Sequence, residues 1–324
     1  MPSRGVVELV FIGTSSATPS RERWLPAILV KLEGEFLLMD CGEGTQYRVF
    51  KAGLRVNKLS SILITHMHGD HVYGLPGLLE SLGMWGRQAR LRVYGPRGIR
   101  EFLEGALTCR DLGYELEVEE VRAGTLISTE CYRVVAIPVK HTVEAYAYAL
   151  IERDRPGKFD EEKARELGIP PGPLRRRLLE GFSVKLPSGR LVMPREVVGP
   201  PRKGLKVVYS GDTAPVGELV EASRRADLLV HEATFSSDLV EEAHATGHST
   251  AEEAARCALE AQVKLLVLFH YSSRYRDLSP LVNEARKVFK RTYASYDMMR
   301  LRLVRLGVNG LLATFTKIRD PEAR

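Results

Sequence analysis

The chain has 324 residues, 44% of them hydrophobic, with 47 Lys and Arg against 41 Asp and Glu and a formal net charge of +6. That length can bury a sizeable core. No stretch approaches the roughly 20 apolar residues of a membrane span, and residues 1–10 hold one Arg and no apolar run, so neither a membrane protein nor a signal-bearing secreted one is expected. Cys41, Cys109, Cys131 and Cys257 lack a CxxC spacing, which fits buried, reduced thiols in a cytoplasmic protein better than a disulfide framework or a thiolate metal site.

Short apolar runs at residues 6–12, 35–40 and 61–65, each followed by Gly, Asp or His, predict buried strands with polar groups at their ends. Helices are expected over 45–52, 75–84 and 97–106, the last after Gly95-Pro96. The stretch 114–152 has few helix signals and alternating runs at 131–139 and 145–151, so antiparallel strands are expected there. Residues 153–204 break the rhythm, with 8 of the 17 prolines and 13 Lys and Arg against 7 Asp and Glu. The rest of the chain balances at 34 of each sign, so the whole charge surplus lies in this segment, which reads as a projecting insertion for a polyanion. Alternation then resumes: strand 206–210, helix 216–225, strand 228–231, helix 250–261 behind a Thr250/Glu253 capping box, and strand 264–269. No repeat or low-complexity tract interrupts it. Two sheets covered by helices, a four-layer α/β arrangement, are the expected architecture.

The most informative six residues are His66-Met67-His68-Gly69-Asp70-His71, directly after an apolar strand. Imidazole nitrogen and carboxylate oxygen are ligands that zinc accepts, and a turn after a strand can aim several at one point. One loop cannot fill two coordination spheres. His141, Asp212 and His270 each follow a hydrophobic run and are the candidates to complete them.

This order of residues resembles the metal signature of the metallo-β-lactamase superfamily. The resemblance implies a four-layer αβ/βα sandwich, one zinc on His66, His68, His141 and Asp212, and a second on Asp70, His71, Asp212 and His270, with Asp212 bridging. Asp40 would orient the histidine loop from behind. Segments 11–19, 40–46, 74–79, 210–213, 231–234, 247–250 and 271–275 are similar to ribonuclease Z in particular, and 153–204 to that family's flexible, transfer-RNA-gripping arm. The domain limits follow: 1–152 with 205–324 as one catalytic domain, 153–204 as the basic arm. One departure is Trp24, after Arg23, where the family usually has Asn.

From that resemblance, the expected activity is removal of the 3′ trailer of precursor transfer RNA by phosphodiester hydrolysis, leaving a 3′-hydroxyl, with two zinc ions per chain in a homodimer. Asp70 would act as general base, and His248, polarised by Glu232, at the leaving 3′ oxygen. Ser272, Ser273 and Arg274 are candidates for the phosphate beside the cut, and Arg175, Arg176 and Arg177 for RNA held by the arm. His231 is expected to support the site and His244 to face solvent without a role. The competing expectations are a two-zinc hydrolase of another kind, such as a general phosphodiesterase, arylsulfatase or lactonase, and a nucleic-acid-binding protein with a dead site. The basic arm argues against the former, the complete ligand set against the latter.

Overall fold

Strand β1 (Val6–Gly13) sends Val7, Leu9 and Phe11 into one apolar cluster and Val10 and Ile12 into another. A strand buried on both faces belongs inside a layered fold. In the computed structural model, which describes residues 5–54, 56–109, 111–306 and 310–318, it lies in an eight-stranded sheet. The chain continues through β2 (Ala27–Leu32), β3 (Glu35–Met39), β4 (Leu59–Leu63), β5 (Leu91–Gly95) and β6 (Leu116–Glu120). A second sheet begins with β7 (Gly124–Ser128), β8 (Tyr132–Val139) and β9 (Ala145–Glu152). After a small hairpin of β10 (Val184–Lys185) and β11 (Leu191–Val192), it is completed by β12 (Lys206–Tyr209), β13 (Leu228–Glu232), β14 (Leu266–Phe269) and β15 (Thr292–Ala294). The chain then returns to the first sheet as β16 (Met299–Leu306) and β17 (Gly310–Lys317).

The sheet orders are β17-β16-β1-β2-β3-β4-β5-β6 and β15-β14-β13-β12-β9-β8-β7. Their inner faces share one core that includes Leu9, Val30, Tyr148 and Val230. Helices Thr45–Lys51, Leu75–Met84 and Ile99–Ala106 cover the outer face of the first sheet, and Gly217–Ser223, Ala251–Glu260 and Ser279–Val288 that of the second. The result is an αβ/βα sandwich. Strands β3 to β6 run parallel, as do β12 to β15, so their C-terminal ends meet at one edge, where sites in α/β sheets form.

Two expectations need correction. Strand β6, expected to start an antiparallel run, pairs parallel with β5, because the helix Ile99–Ala106 supplies the crossover that a parallel neighbour requires. Of the cysteines only Cys41 is buried; Cys109 and Cys131 are exposed, and all four are free. No helix among the described residues is long and apolar enough to cross a membrane.

Residues 153–204 fill the connection between the antiparallel neighbours β9 and β12. Their base is a two-stranded neck: Arg155 and Arg202 exchange backbone hydrogen bonds of 2.9 Å, and Gly199 N–H donates to Lys158 O. Gly157 permits this approach, since a Cβ there would fall 1.8 Å from Gly199 O. Above the neck, Ala164, Ile169, Leu178, Val184, Leu186, Val192 and Val197 form a separate small core among three short helices and the β10–β11 hairpin.

Candidate metal centre and catalytic pair

Four of the seven sequence-singled ligand candidates, His66, His141, Asp212 and His270, lie in loops that leave strand ends; His68 caps the short helix Gly69–Val72, which carries Asp70 and His71. Two groups form. His66 Nε2 lies 3.1 Å from His68 Nδ1, and His141 Nε2 lies 3.2 Å from the same atom. On the other side His71 Nε2 lies 3.1 Å from His270 Nε2, and both are 3.5 Å from Asp70 Oδ2. Asp212 Oδ2 sits between the groups, 3.6 Å from His66 and 3.3 Å from both His71 and His270. Donor atoms around one tetrahedral zinc are separated by roughly 3.3 Å, given Zn–N bonds near 2.0–2.1 Å.

The remaining ring nitrogens are held from behind. His71 Nδ1 is 2.8 Å from Asp40 Oδ2, His141 Nδ1 2.7 Å from Gly247 O, His66 Nδ1 3.0 Å from Thr65 Oγ1 and His270 Nδ1 3.0 Å from Thr234 Oγ1. Asp40 accepts three further contacts, from Thr65 N–H at 2.8 Å, Thr65 Oγ1 at 3.0 Å and Tyr209 Oη at 2.7 Å. With their Nδ1 protons given to Asp40 and Gly247 O, neutral His71 and His141 turn lone pairs inward, toward other nitrogens at hydrogen-bond range. Asp212 Oδ1 is buried with no hydrogen-bond partner. Facing lone pairs and an orphaned carboxylate oxygen are tolerable around a cation, so the residues present fit a bound divalent metal.

The electrostatics agree. Burial pushes His71 down, but Asp212, Asp40 and Asp70 outweigh it and hold the imidazole well above its ordinary value. For Asp212 burial acts upward, yet His270 and His71 hold the carboxyl far below the usual carboxylate range. His66 is driven well below the ordinary value by burial and by His71. Backbone strain marks the same places: Asp40 (φ 56°) and His270 (φ 59°) occupy the left-handed region at a cost of about 1–3 kcal/mol each.

His248 lies beside these groups, its ring stacked 5.6 Å from that of His270. Glu232, fully buried, accepts from Thr213 N–H at 2.8 Å and Thr234 Oγ1 at 2.6 Å and meets His248 Nδ1 at 2.9 Å. Burial lowers the His248 pKa, but the Glu232 charge and hydrogen bond prevail and push it up to about 9. An imidazole held in this way beside the candidate ligand cluster is arranged as a proton donor.

Other sequence candidates lie elsewhere. Ser272, Ser273 and Arg274 follow His270 at the rim, where Arg274 pairs with Glu242 at 2.8 Å and stacks on Phe235. His231 stands apart from the ligand cluster, its Nδ1 on Glu232 O at 2.8 Å and its ring lining a cavity under the helix Ala251–Glu260. His244, expected to be idle, is 2.6 Å from Glu253, the capping-box carboxylate. The arm arginines diverge: Arg175 turns inward to Ile169 O and Glu161, Arg176 pairs with Glu180 on the surface, and Arg177 packs on Phe182. Three contributors carry no assignment from sequence. Ala17 N–H donates to Asp70 Oδ2 at 2.8 Å, Thr234 ties Glu232 to His270, and buried Arg23 donates to the carbonyls of Ser272 and Tyr275. Ala17, Arg23 and Thr234 all fall in or beside segments that resemble ribonuclease Z, which was the only signal available.

Fold and site together define a hydrolase of the metallo-β-lactamase fold. A family model described as "Beta-lactamase superfamily domain" matches residues 197–271, and one described as "Anti-Pycsar protein Apyc1" matches residues 7–154. Ribonuclease Z of Methanosarcina acetivorans is 43% identical over 301 residues, 92% of this chain and 98% of that protein. Ribonuclease Z of Archaeoglobus fulgidus is 45% identical over 300 residues, 91% and 97% of the two. The crystal structure of the short form of human tRNase Z superposes with a TM-score of 0.65 at 26% identity, covering 90% of this chain and 98% of that one. The chain belongs to the ribonuclease Z family and is a hydrolytic endoribonuclease.

Proposed function

We propose that the chain removes the 3′ trailer of precursor transfer RNA in the cytoplasm, leaving a 3′-hydroxyl, with two zinc ions per chain held by His66, His68, His141 and Asp212 and by Asp70, His71, His270 and Asp212. The convergence of both donor groups on Asp212, in a chain of this family, carries the proposal. Bound zinc would supply positive charge to the phosphate oxygens and acidify the attacking water. Asp70, steadied by the Ala17 amide, accepts the proton of that water. His248, held by Glu232, delivers a proton to the leaving 3′ oxygen as its bond to phosphorus breaks. Ser272, Ser273 and Arg274 border the scissile phosphate, and Arg23 keeps their loop in place through two backbone carbonyls.

The arm binds the body of the transfer RNA away from the chemistry. Its surface arginines Arg176 and Arg177 are the proposed grip, while Arg175, turned inward to Ile169 O and Glu161, holds the arm together beneath them. A homodimer is supported by an apolar surface on the first helical layer, where Phe50 stacks on Trp85 at 5.6 Å and Phe50 and Met84 are exposed. Incubation with one precursor transfer RNA and with bis-p-nitrophenyl phosphate tests the proposal. Cutting of the precursor at a single 3′ site, with a hydroxyl on the transfer RNA product, is expected. Turnover of small esters or lactones with the precursor left intact would replace it by a small-molecule hydrolase.

A further inference from the structure

Tyr73 closes the short helix Gly69–Val72 that carries Asp70 and His71. Residues three and four apart share one face of a helix, which puts the Tyr73 ring on the side of Gly69 and Asp70. The packing agrees: a Cβ on Gly69 would fall 2.3 Å from a ring carbon of Tyr73, so the ring lies directly against the glycine between His68 and Asp70. Phe102 supports the ring, with centroids 6.3 Å apart and planes inclined by 26°. Tyr73 is nevertheless 65% exposed, and its hydroxyl forms no hydrogen bond with a described residue. A braced aromatic face thus stands open at the rim of the candidate metal cluster.

Such a face suits an unpaired base, since every base has a π-face and stacking on aromatic rings is the recurring chemistry of single-strand binding. The direction of the reaction decides which nucleotide the ring meets. In-line hydrolysis puts the attacking water and the leaving 3′ oxygen on opposite sides of phosphorus. In the function proposed above, Asp70 takes the water's proton and His248 protonates the leaving oxygen, so these two residues mark the two sides. The nucleotide that keeps the 3′ oxygen stands toward His248. The ring beside Asp70 then faces the nucleotide on the other side of the phosphate, the first of the trailer.

We infer that Tyr73 stacks on the base of the first trailer nucleotide and so helps to hold the scissile phosphate at the cut. The inference rests on precursor transfer RNA being the substrate. The test measures kcat/KM of the full-length chain on three precursors: intact, abasic at the first trailer nucleotide, and abasic at the nucleotide just before the cut. In the wild type, removing the first trailer base should lower the value on the order of ten-fold. Tyr73→Ala should lower it by a similar factor on the intact precursor and lose nothing further when that base is absent. Tyr73→Phe should keep the wild-type pattern, since phenylalanine keeps the stacking face. A wild type indifferent to the first trailer base would overturn the inference without recourse to any variant. Independent, multiplying losses would overturn it too, as would coupling of Tyr73 to the base before the cut. Multiplying losses together with a changed oligomeric state in Tyr73→Ala would assign the ring to a contact between chains instead. A wild type that cuts bis-p-nitrophenyl phosphate and none of the precursors would overturn the substrate reading, and the stacking site with it.

Discussion

The sandwich and the arm are built on opposite plans. In the sandwich the candidate ligand side chains hang from strand ends or from the short helix Gly69–Val72, and His66, His71, Asp212 and His270 are almost wholly buried, most of their second atoms fixed by Thr65, Asp40 or Thr234. In the arm a seven-residue core of Ala, Ile, Leu and Val carries charges that point outward, and only a narrow neck joins it to the sheets. Two large sheets hold reacting groups with the tolerance that chemistry demands. A small unit with its own core can instead adapt to a large polyanion while leaving that geometry undisturbed. The contrast predicts that damage to one region spares the work of the other.

The largest effect is expected at Asp212. Asp212→Ala removes the carboxylate shared by both donor groups, so metal content by elemental analysis should fall. Turnover of every substrate should drop by more than the roughly 10–100-fold that loss of an outer hydrogen bond costs. Retention of two zinc ions per chain with normal turnover would show that the groups do not share it.

Next is His248→Ala, where the size of the loss should depend on the leaving group. An RNA 3′ oxygen needs a proton as it departs, so kcat should fall about 10²–10⁴-fold. p-Nitrophenolate leaves unaided, so bis-p-nitrophenyl phosphate should lose far less. Equal losses on both substrates would assign His248 to binding or folding instead.

Smallest are the arm arginines. Arg176→Gln with Arg177→Gln should make the slope of log affinity for precursor transfer RNA against log salt shallower by roughly one unit per lost phosphate contact, with the melting curve unchanged. Arg175→Gln should behave in the opposite manner, because its guanidinium is held by Ile169 O and Glu161. It should destabilise the arm by about 1 kcal/mol, seen as faster proteolytic nicking within 153–204. Identical effects from all three would contradict the divergent directions of these side chains.

The cluster that could hold a metal was legible in the sequence largely because its side chains are of rare types and concentrated: three histidines and an aspartate in six residues, then His141, Asp212 and His270 after apolar runs. Strand and helix positions in the sandwich were legible for the same reason, since burial on both faces leaves continuous apolar runs. What escaped has physical causes. The Ala17 amide that steadies Asp70 is a backbone donor, and any residue but proline provides one. The direction of β6 depends on which neighbour the chain returns to, which residue types do not encode. The arm's core consists of seven small apolar residues spread without period over Pro-rich sequence, so composition pointed to a projecting segment and not to its packing. Arg175, Arg176 and Arg177 are equivalent as letters, yet the 100° steps of the helix Pro173–Leu179 send the first inward.

The division between chemistry and grip is tested most directly by deleting the arm at its neck. Arg155 and Arg202 are hydrogen-bonded antiparallel partners, so a short Gly-containing turn can join them without disturbing β9 or β12. The measurement is kcat/KM of this variant on bis-p-nitrophenyl phosphate and on precursor transfer RNA, side by side with the intact chain. The predicted result is an unchanged value for the small diester and a fall of at least about a hundred-fold for the precursor, because remote binding of the large substrate is what orients it at the cut. Parallel loss on both substrates in a folded, metal-loaded variant, or full retention on the precursor, would contradict it.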